Sequence, residues 1–332
     1  MTKYSIILPV RNGGEYVKQC VQSILNQTFN DFNCIILDND SNDGTAEWIK
    51  SLRDERIIIH PSGKSLSIGE NWARITAIDK NEFMTVIGHD DILHLDYLAV
   101  MNALVENHPD ASLYLSHFKF IDAKGNEVRS CLPMKEIQYA HEFLNGEMTQ
   151  TMDSTGTGYM MRSKDYDAVG GISPLYPNLI FADYELWMKL TGRSYLAVTG
   201  REAFSYRLHE SVSKLTNGDD YQQAFCRYIE FLAGLRNNNK ALASTIDQHG
   251  KRMLLYFCQS LSHRLLKTPK KMRKTTVGEF INKCRRLAKD FIPGQSFKPM
   301  AKPGILAAYL LDNAAGIKLF GLYKKLQTRS SK

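Results

Sequence analysis

The chain has 332 residues, of which 43% are hydrophobic and 23% are charged. This composition is typical of a globular protein and excludes a disordered or collagen-like chain. The most apolar stretch, Ile305 to Leu311, is interrupted by Asp312 after seven residues, whereas a membrane-spanning helix needs about 20. No transmembrane segment is therefore predicted.

The six cysteines are scattered, with no Cys-x-x-Cys pair, and the N-terminal residues run directly into a strand-like segment. A disulfide framework or a zinc site would show closer cysteine spacing. We therefore expect free thiols, no signal peptide and a cytoplasmic location.

The net charge of +7 is distributed unevenly along the chain. Residues 1–215 contain 20 Lys and Arg against 28 Asp and Glu, a balance of −8, and residues 216–332 contain 22 against 7, a balance of +15. A basic region of this kind favours an anionic partner, either a membrane surface or nucleic acid. A solvated lysine-rich face would have the same composition.

In the first ninety residues, apolar runs of strand length alternate with segments of helical apolar spacing. The runs cover residues 5–10, 32–37, 57–59 and 83–87. Strands that are apolar on both faces predict a parallel sheet covered by helices, an α/β architecture in which ligands bind beyond the carboxyl ends of the strands. Polar loops follow three of these ends, at 11–14, 38–44 and 88–91. We expect the three loops to form one site.

The pattern is less regular between about residues 110 and 215. The predicted elements there are strands over 111–116, 155–162 and 203–207, a hairpin turn over 122–125 and a helix over 183–190. Helical spacing dominates from residue 218 onward. The sequence therefore predicts a domain at 1–215 and a basic, mostly helical region at 216–332.

Asp90 and Asp91 follow the fourth predicted strand. Two carboxylates on a loop at a strand end suit a hard divalent cation such as Mg²⁺ or Mn²⁺, which would neutralise a diphosphate. Asp is also common in loops because its side chain stabilises turns. The pair alone does not choose between these roles.

Three other groups of polar residues are candidates for a ligand site. Asp38 to Asp40 end the second strand, where they suit a base N–H or a ribose hydroxyl but also suit a helix cap. Asp183 opens a predicted helix with Trp187 one turn further on, which suits a general base beside a sugar-stacking ring, although an acid at a helix start also stabilises the helix dipole. His209 lies among polar neighbours, and its role stays open.

Several motifs, in order, resemble those of family 2 glycosyltransferases. They are Ser5-Ile-Ile-Leu-Pro-Val-Arg-Asn12, Ser23-Ile-Leu-Asn-Gln-Thr-Phe29, Ile35-Ile-Leu-Asp-Asn-Asp-Ser-Asn-Asp-Gly-Thr45, Gly88-His-Asp-Asp91, Phe181-Ala-Asp-Tyr-Glu-Leu-Trp187 and Tyr206-Arg-Leu-His209. The resemblance covers residues 3 to about 213. Each motif is weak by itself, but the combination is specific.

The resemblance implies a GT-A fold and inverting transfer of a sugar from a nucleotide-diphosphate donor, most often a UDP-sugar, to a saccharide or lipid-linked saccharide in bacterial surface-polysaccharide synthesis. The residues implied to bind the nucleotide-sugar are Pro9, Arg11, Asp38, Asn39, Asp40, Asn71, His89 and Asp90. Those implied to hold Mn²⁺ or Mg²⁺ are Asp90, Asp91 and His209. Asp183 matches the catalytic base, and Trp187 is expected to contact the acceptor.

The chain departs from the family pattern at three positions. Gly88 replaces the first acid of the Asp-x-Asp motif, so that metal binding depends on Asp90 and its neighbours. Ala182 replaces the Glu that usually precedes the catalytic Asp, which removes a helper of the base. Asn39 stands where many relatives have a second Asp, which bears on nucleobase selection.

The C-terminal region contains a basic amphipathic segment. Between residues 264 and 290 there are ten Lys and Arg against two acids. The apolar residues on one helical face are Val277, Phe280, Ile281, Cys284, Leu287 and Phe291. This pattern predicts a helix lying in the interface of an anionic membrane, peripheral to the inner face of the cytoplasmic membrane, or a helix packed on its neighbours with its basic face exposed. A second apolar stretch runs from Ile305 to Leu326.

Two other classes of protein are weighed against this interpretation. A nucleotidyltransferase would need a glycine-rich basic loop after the first strand, of which residues 11–14 are a faint version, and it would leave Asp183 unexplained. A non-catalytic nucleic-acid-binding protein would need aromatic residues among the basic ones, and the segment 264–290 contains only Phe280. No nucleic-acid partner is therefore expected.

Overall fold

The computed structural model describes residues 2–208 and 216–320, so that His209 and the end of the second apolar stretch lie outside the described residues. The chain divides into two compact units, Met1–Leu175 with Ala182–Ser211 and Tyr176–Phe181 with Val212–Lys332. The division differs from the predicted boundary because the short segment before Ala182 belongs to the second unit. There the ring of Phe181 stacks on that of Tyr228, with ring centroids 5.5 Å apart.

The first unit is built on one ten-stranded sheet. Its strands are β1 (Tyr4–Val10), β2 (Phe32–Asp38), β3 (Ile57–Ile59), β4 (Phe83–Val86), β5 (Ile92–Leu93), β6 (Leu113–Ile121), β7 (Glu127–Ser130), β8 (Ile137–Gln138), β9 (Met160–Arg162) and β10 (Leu196–Arg207). The order is β3-β2-β1-β4-β9-β6-β10-β5, with β7 beside β6 and β8 beside β10. The neighbours from β3 to β4 are parallel, as are β6 and β10, whereas β9 is antiparallel to both of its neighbours.

The helices of the first unit are α1 (Gly14–Leu25), α2 (Thr45–Ser51), α3 (Ile68–Ala73), α4 (Tyr97–Asn107), α5 (Ala140–Thr149), α6 (Ser163–Ala168) and α7 (Ala182–Arg193). Every residue of β1 is buried, because the strand is apolar on both faces and lies between two parallel neighbours. The mostly parallel sheet and the helical C-terminal region confirm the predicted α/β fold class.

The predicted strand over 155–162 is formed only at Met160–Arg162. Gly158 has a φ of +82°, and a side chain there would collide with the ring of Phe204, so the preceding residues run as a loop. All six cysteines are free and buried, which confirms the predicted thiols.

The second unit contains the helices α8 (Gly218–Asn238), α9 (Lys240–Lys267), α10 (Val277–Phe291) and α11 (Pro303–Leu310). The apolar face predicted for α10 is buried against α8 and α9, apart from the half-buried Leu287, while Lys283 and Lys289 on the other face are exposed. Helix packing, and not burial in a bilayer, therefore explains the apolar stripe. Within the part of the chain that the structure describes, no helix is long and apolar enough to cross a membrane.

Candidate active site

Two of the three polar loops lie side by side at the carboxyl ends of β1 and β2. The backbone N–H of Asn12 donates to Ser41 Oγ at 3.0 Å, and that of Asn42 donates to Asn12 Oδ1 at 2.9 Å. Asp43 Oδ2 accepts from the backbone N–H of Gly14 at 3.1 Å. The third loop is tied to α1, since Gly88 O accepts from Cys20 Sγ at 3.4 Å. Because β1, β2 and β4 are parallel, all three loops follow strands at the same edge of the sheet.

Asp38 ends β2 and is only 5% exposed. Its carbonyl oxygen accepts from Ser62 N at 2.9 Å, but its carboxylate Oδ1 is buried and has no hydrogen-bond partner among the described residues. A buried carboxylate oxygen without a donor is costly, because it has lost water without replacing it. Oδ1 of Asp38 thus has a hydrogen-bonding capacity that no described residue uses.

Asn39 and Asn71 were expected to contact the nucleotide, but both side chains are engaged within the protein and each is 3% exposed. The Asn39 amide exchanges two hydrogen bonds with the backbone of Leu66, at 2.8 and 2.9 Å. Asn71 Nδ2 donates to Leu37 O at 3.1 Å, and its Oδ1 accepts from Arg74 at 2.8 Å. These hydrogen bonds support the loop around Asp38, and direct contact of either residue with the nucleotide stays a prediction.

Arg74 was not identified from the sequence, although it connects the ends of β2 and β3. Its Nη1 donates to Asp38 O at 3.2 Å, and its Nη2 donates to His60 O at 2.6 Å and Pro61 O at 3.0 Å. Nothing in the neighbouring sequence indicates this role, because its partners are backbone carbonyls from distant segments.

The other residues expected to bind the nucleotide differ in exposure. Pro9 is buried in β1, opposite Leu37 in the parallel register. Arg11 and Asp40 are exposed at the ends of β1 and β2, and Asp40 has a φ of 55°. Arg11 and Asp40 are therefore accessible to a ligand at the carboxyl end of the sheet.

Asp91 is buried, with 2% of its surface exposed. The Thr157 hydroxyl lies 2.5 Å from its Oδ2, and the backbone N–H of Arg207 donates to its Oδ1 at 2.9 Å. Burial, and after it the charge of Asp90, raises the pKa of Asp91 above its ordinary value. Both oxygens of Asp91 accept hydrogen bonds from the protein, and its role as a metal ligand stays a prediction.

Asp90 and His89 are half-buried beside Gly88. A Cβ atom on Gly88 would lie 2.6 Å from Asp90 Oδ1 and 3.1 Å from Asp91 Oδ2, too close for any other residue without movement. The carboxylate of Asp90 therefore uses the space in which the first acid of an Asp-x-Asp motif would begin. The glycine at position 88 and the placement of Asp90 depend on each other.

A divalent ion would need oxygen or nitrogen ligands close together in this site. Residues 2–208 and 216–320 contain no group of three or more His, Cys, Asp or Glu arranged to hold a metal. Asp90 is the predicted ligand that fits, because Mg²⁺ bound with a phosphate substrate commonly uses one or two carboxylates plus phosphate oxygens. His209 lies outside the described residues, and its role as a metal ligand stays a prediction.

Arg207 was also missed, although it is next but one to His209 in the Tyr206–His209 motif. Its Nε donates to Asp90 O at 2.7 Å, and its Nη2 donates to Gln19 Oε1 at 2.8 Å. The guanidinium group also lies over the ring of Tyr16, 4.6 Å from the centroid. Arg207 thus ties the loop that carries Asp90 to α1.

Asp183 lies in the first turn of α7, as predicted. A Cβ atom on Gly156 would lie 3.4 Å from Asp183 Oδ2, so the loop before β9 passes directly beside the carboxylate. Burial raises the pKa of Asp183 to about 6, although the backbone N–H groups of Asp183 and Tyr184 act in the opposite direction. A carboxylate with this pKa is a stronger base than an exposed one and is still mostly ionised at neutral pH.

Trp187 is not available to stack on an acceptor sugar. It is 2% exposed, its ring stacks on Tyr159 with centroids 4.2 Å apart, and its Nε1 donates to Thr155 O at 3.1 Å. The expectation of an acceptor platform is therefore wrong. The ring instead supports the loop that passes Asp183.

Comparison with known proteins identifies the family from the first half of the chain. Residues 5–170 match glycosyl transferase family 2. An uncharacterized glycosyltransferase of Methanocaldococcus jannaschii is 33% identical over 200 residues, which are 58% of this chain and 65% of that protein. Glycosyltransferase GlyG of Streptococcus pneumoniae is 27% identical over 128 residues, 37% of this chain and 41% of that protein. The chain thus spans less than two thirds of either relative.

Solved structures with the same fold include S. aureus TarS, residues 1–349, in complex with UDP-GlcNAc. The TM-score is 0.60 at 13% sequence identity, and the match covers 89% of this chain and 93% of that one. The same fragment in complex with UDP gives a TM-score of 0.59. This chain has the GT-A type of fold, and it belongs to glycosyl transferase family 2.

Proposed function

We propose that this protein is an inverting glycosyltransferase that moves a sugar from a UDP-sugar to a hydroxyl group of a saccharide or lipid-linked saccharide. Membership of family 2 supports the transfer reaction, and the complexes of TarS with UDP-GlcNAc and UDP support a uridine donor. The observation that carries the proposal is the buried, unpartnered Oδ1 of Asp38 at the carboxyl end of β2.

On the donor side, Asp38 Oδ1 accepts a hydrogen bond from the nucleobase or from a ribose hydroxyl. Asn39, Asn71 and Arg74 contribute indirectly, because their hydrogen bonds hold the backbone on either side of Asp38. Arg11 and Asp40 are exposed at the neighbouring strand ends, where they reach the polar part of the donor. Asp38 would thus contact the nucleotide from a fixed position, whereas the exposed side chains of Arg11 and Asp40 can adjust to the donor.

The diphosphate of the donor requires positive charge. Asp90 would hold Mn²⁺ or Mg²⁺ together with phosphate oxygens, and His209 would complete the site. When bound, the ion stabilises the negative charge that develops on the leaving diphosphate. Gly88 leaves space for the Asp90 carboxylate, and Arg207 fixes its main chain.

On the acceptor side, Asp183 is the general base. Its carboxylate accepts the proton of the acceptor hydroxyl as that oxygen forms a bond to the anomeric carbon. The bond from that carbon to the diphosphate oxygen breaks on the opposite face, so the configuration at the anomeric carbon is inverted. The raised pKa of Asp183 makes it a better proton acceptor than an exposed Asp.

We also propose that the protein works at the inner face of the cytoplasmic membrane. The basic helical unit, with 22 Lys and Arg against 7 acids from residue 216 onward, supports a location on the anionic inner face of the cytoplasmic membrane. A lipid-linked acceptor in bacterial surface-polysaccharide synthesis would be present at that surface.

The proposal is tested by calorimetric titration of UDP, with and without Mn²⁺, against the wild type, Asp38→Ala and Asp90→Ala. We expect Asp38→Ala to weaken UDP binding about 10- to 100-fold in both conditions, because it removes a hydrogen bond to a charged acceptor. Asp90→Ala should lose the enhancement by Mn²⁺ and keep the weak metal-free binding.

Asp96→Ala is the matched control, because it removes a carboxylate that is 40% exposed and pairs with Arg201, itself 68% exposed, at 2.6 Å. It should bind UDP like the wild type. If GDP or dTDP binds in place of UDP, the transfer mechanism stands and the base is corrected. If no nucleoside diphosphate binds to the wild type in either condition, the proposed function is wrong.

A further inference from the structure

The second unit contains a groove between α9 and the segment 295–303. Its volume is about 690 Å³, and it adjoins a depression of about 440 Å³ that shares Lys251, Leu255 and Lys302 with it. Four side chains that line the two spaces are permanently cationic, and we call them the groove cations: Lys251, Arg252, Lys298 and Lys302. This groove has no role in the transfer reaction proposed above.

The walls of the groove are fixed by hydrogen bonds. Gln295 Nε2 donates to Asp247 O on α9 at 2.9 Å, and His263 Nε2 lies 3.1 Å from Gly304 O in α11. A Cβ atom on Gly304 would lie 2.7 Å from the Gln259 side chain, so α11 begins in close contact with α9. The groove is thus a built feature of the helical unit.

The charge in the groove is not compensated by the residues around it. Neither space is lined by an Asp or a Glu, and in the described ranges no ion pair involves a groove cation. The nearby Asp247 is engaged with Arg236, at 2.7 Å. Like charges held together without counter-charges favour an anionic ligand with several negative groups.

The groove is bordered by exposed apolar side chains. Tyr256 on α9 is 52% exposed, and on α11 the exposed fractions are 40% for Leu306, 49% for Tyr309 and 63% for Leu310. α11 packs against α9, so these side chains and the groove cations belong to adjoining surfaces. Cations beside exposed aliphatic side chains are typical of a surface that lies in a membrane interface.

We propose that this groove binds phosphate headgroups of an anionic bilayer, with the exposed side chains of α11 entering the interface. The inference rests on the membrane location proposed above and is independent of the transfer chemistry. Each Lys or Arg close to an anionic surface strengthens binding by about fivefold. The rings of Tyr256 and Tyr309 would suit either a stacked base or a membrane interface, whereas Leu306 and Leu310 suit only the interface.

The test is co-sedimentation of the full chain with phosphatidylcholine vesicles, with and without phosphatidylglycerol. Lys251→Glu combined with Lys302→Glu should weaken binding to the phosphatidylglycerol vesicles by about 25-fold or more, because two cations are lost and two anions are added. The matched control is Lys283→Glu with Lys289→Glu, which changes the net charge equally at exposed positions of α10 outside the groove. The control should keep most of the binding.

Equal losses in the two double variants would overturn the groove as a site, because the overall charge would then explain binding. Full binding by the groove variant would also overturn it. A third result would also overturn it: polyphosphate or an RNA oligonucleotide binds tightly and displaces the vesicles. In that case the binding of this ligand would be unchanged in the double variant Leu306→Ser with Leu310→Ser. Calorimetric UDP binding, which the groove variant should retain, separates failure of this inference from failure of the proposed function. Circular dichroism verifies that each variant is folded.

Discussion

Near the carboxyl ends of the strands in the first unit, most polar side chains are paired within the protein, whereas the groove cations of the second unit have no acidic partner among the described residues. The first arrangement leaves Asp38 Oδ1 without a partner among the described residues, in a region where most other polar groups are fixed. The second is a set of like charges in a groove whose walls are fixed by hydrogen bonds. The difference is what we expect of a small-molecule site in one unit and of a cationic surface for an anionic partner in the other.

The largest effect is expected at Asp183. Asp183→Asn keeps the shape and removes the base, so kcat should fall about 10²- to 10⁴-fold while UDP affinity is unchanged. Because burial raises its pKa to about 6, wild-type kcat should increase with pH through about 6 and then level off, since the base acts when deprotonated. Steady-state kinetics across this pH range measure both effects.

The control for this prediction is Glu185→Gln on the same helix, where the carboxylate pairs with Lys189 at 2.7 Å. It should retain both the activity and the pH profile. Normal turnover by Asp183→Asn would show that Asp183 is not the general base, and the first unit would then lack an assigned catalytic group.

An intermediate effect is expected at Gly88. Gly88→Ala places a Cβ atom 2.6 Å from Asp90 Oδ1, so that carboxylate must move. A displacement of about 1 Å at a site of this kind costs up to about 100-fold in activity. Titration of Mn²⁺ in the presence of UDP should show weaker coupling between the two ligands.

Gly192→Ala is the comparison variant, because a Cβ atom at that position in α7 has open space around it. It should be neutral or slightly stabilising. Unchanged Mn²⁺ dependence in Gly88→Ala would mean that the position of Asp90 is not restricted in the way the structure indicates.

The smallest effect is expected at Trp187. Trp187→Phe keeps an aromatic ring against Tyr159 but removes the hydrogen bond to Thr155 O and leaves a cavity beside the smaller ring, so the free energy of unfolding should fall by about 2 kcal/mol. The KM for the acceptor should not change. Chemical denaturation and acceptor kinetics measure the two quantities, and a raised KM at unchanged stability would restore the acceptor platform.

The sequence was sufficient for the parallel strands in the first ninety residues and for the positions of the polar loops that follow them. Apolar runs at 5–10, 32–37 and 83–87 form strands within a residue or so of the predicted bounds, because burial on both faces leaves a local pattern. Asp183 was placed correctly at the start of a helix for the same reason.

The direction in which the polar side chains point was not predictable. Asn39 binds Leu66 and Asp91 binds Thr157, and these partners are distant in sequence with no local signature. Arg74 and Arg207 were missed because most of their acceptors are backbone carbonyls, which every residue type supplies. Pairing of this kind is decided by the tertiary fold.

Gly88 also has a consequence for how this sequence can evolve. A change to the acid of an Asp-x-Asp motif would bring its Cβ atom to 2.6 Å from Asp90 Oδ1, the far end of a side chain that can turn away. The substitution would therefore act through the direction of the Asp90 carboxylate and not through the fold. Variant libraries that alter positions 88 and 90 together would sample carboxylate placements that single changes do not reach.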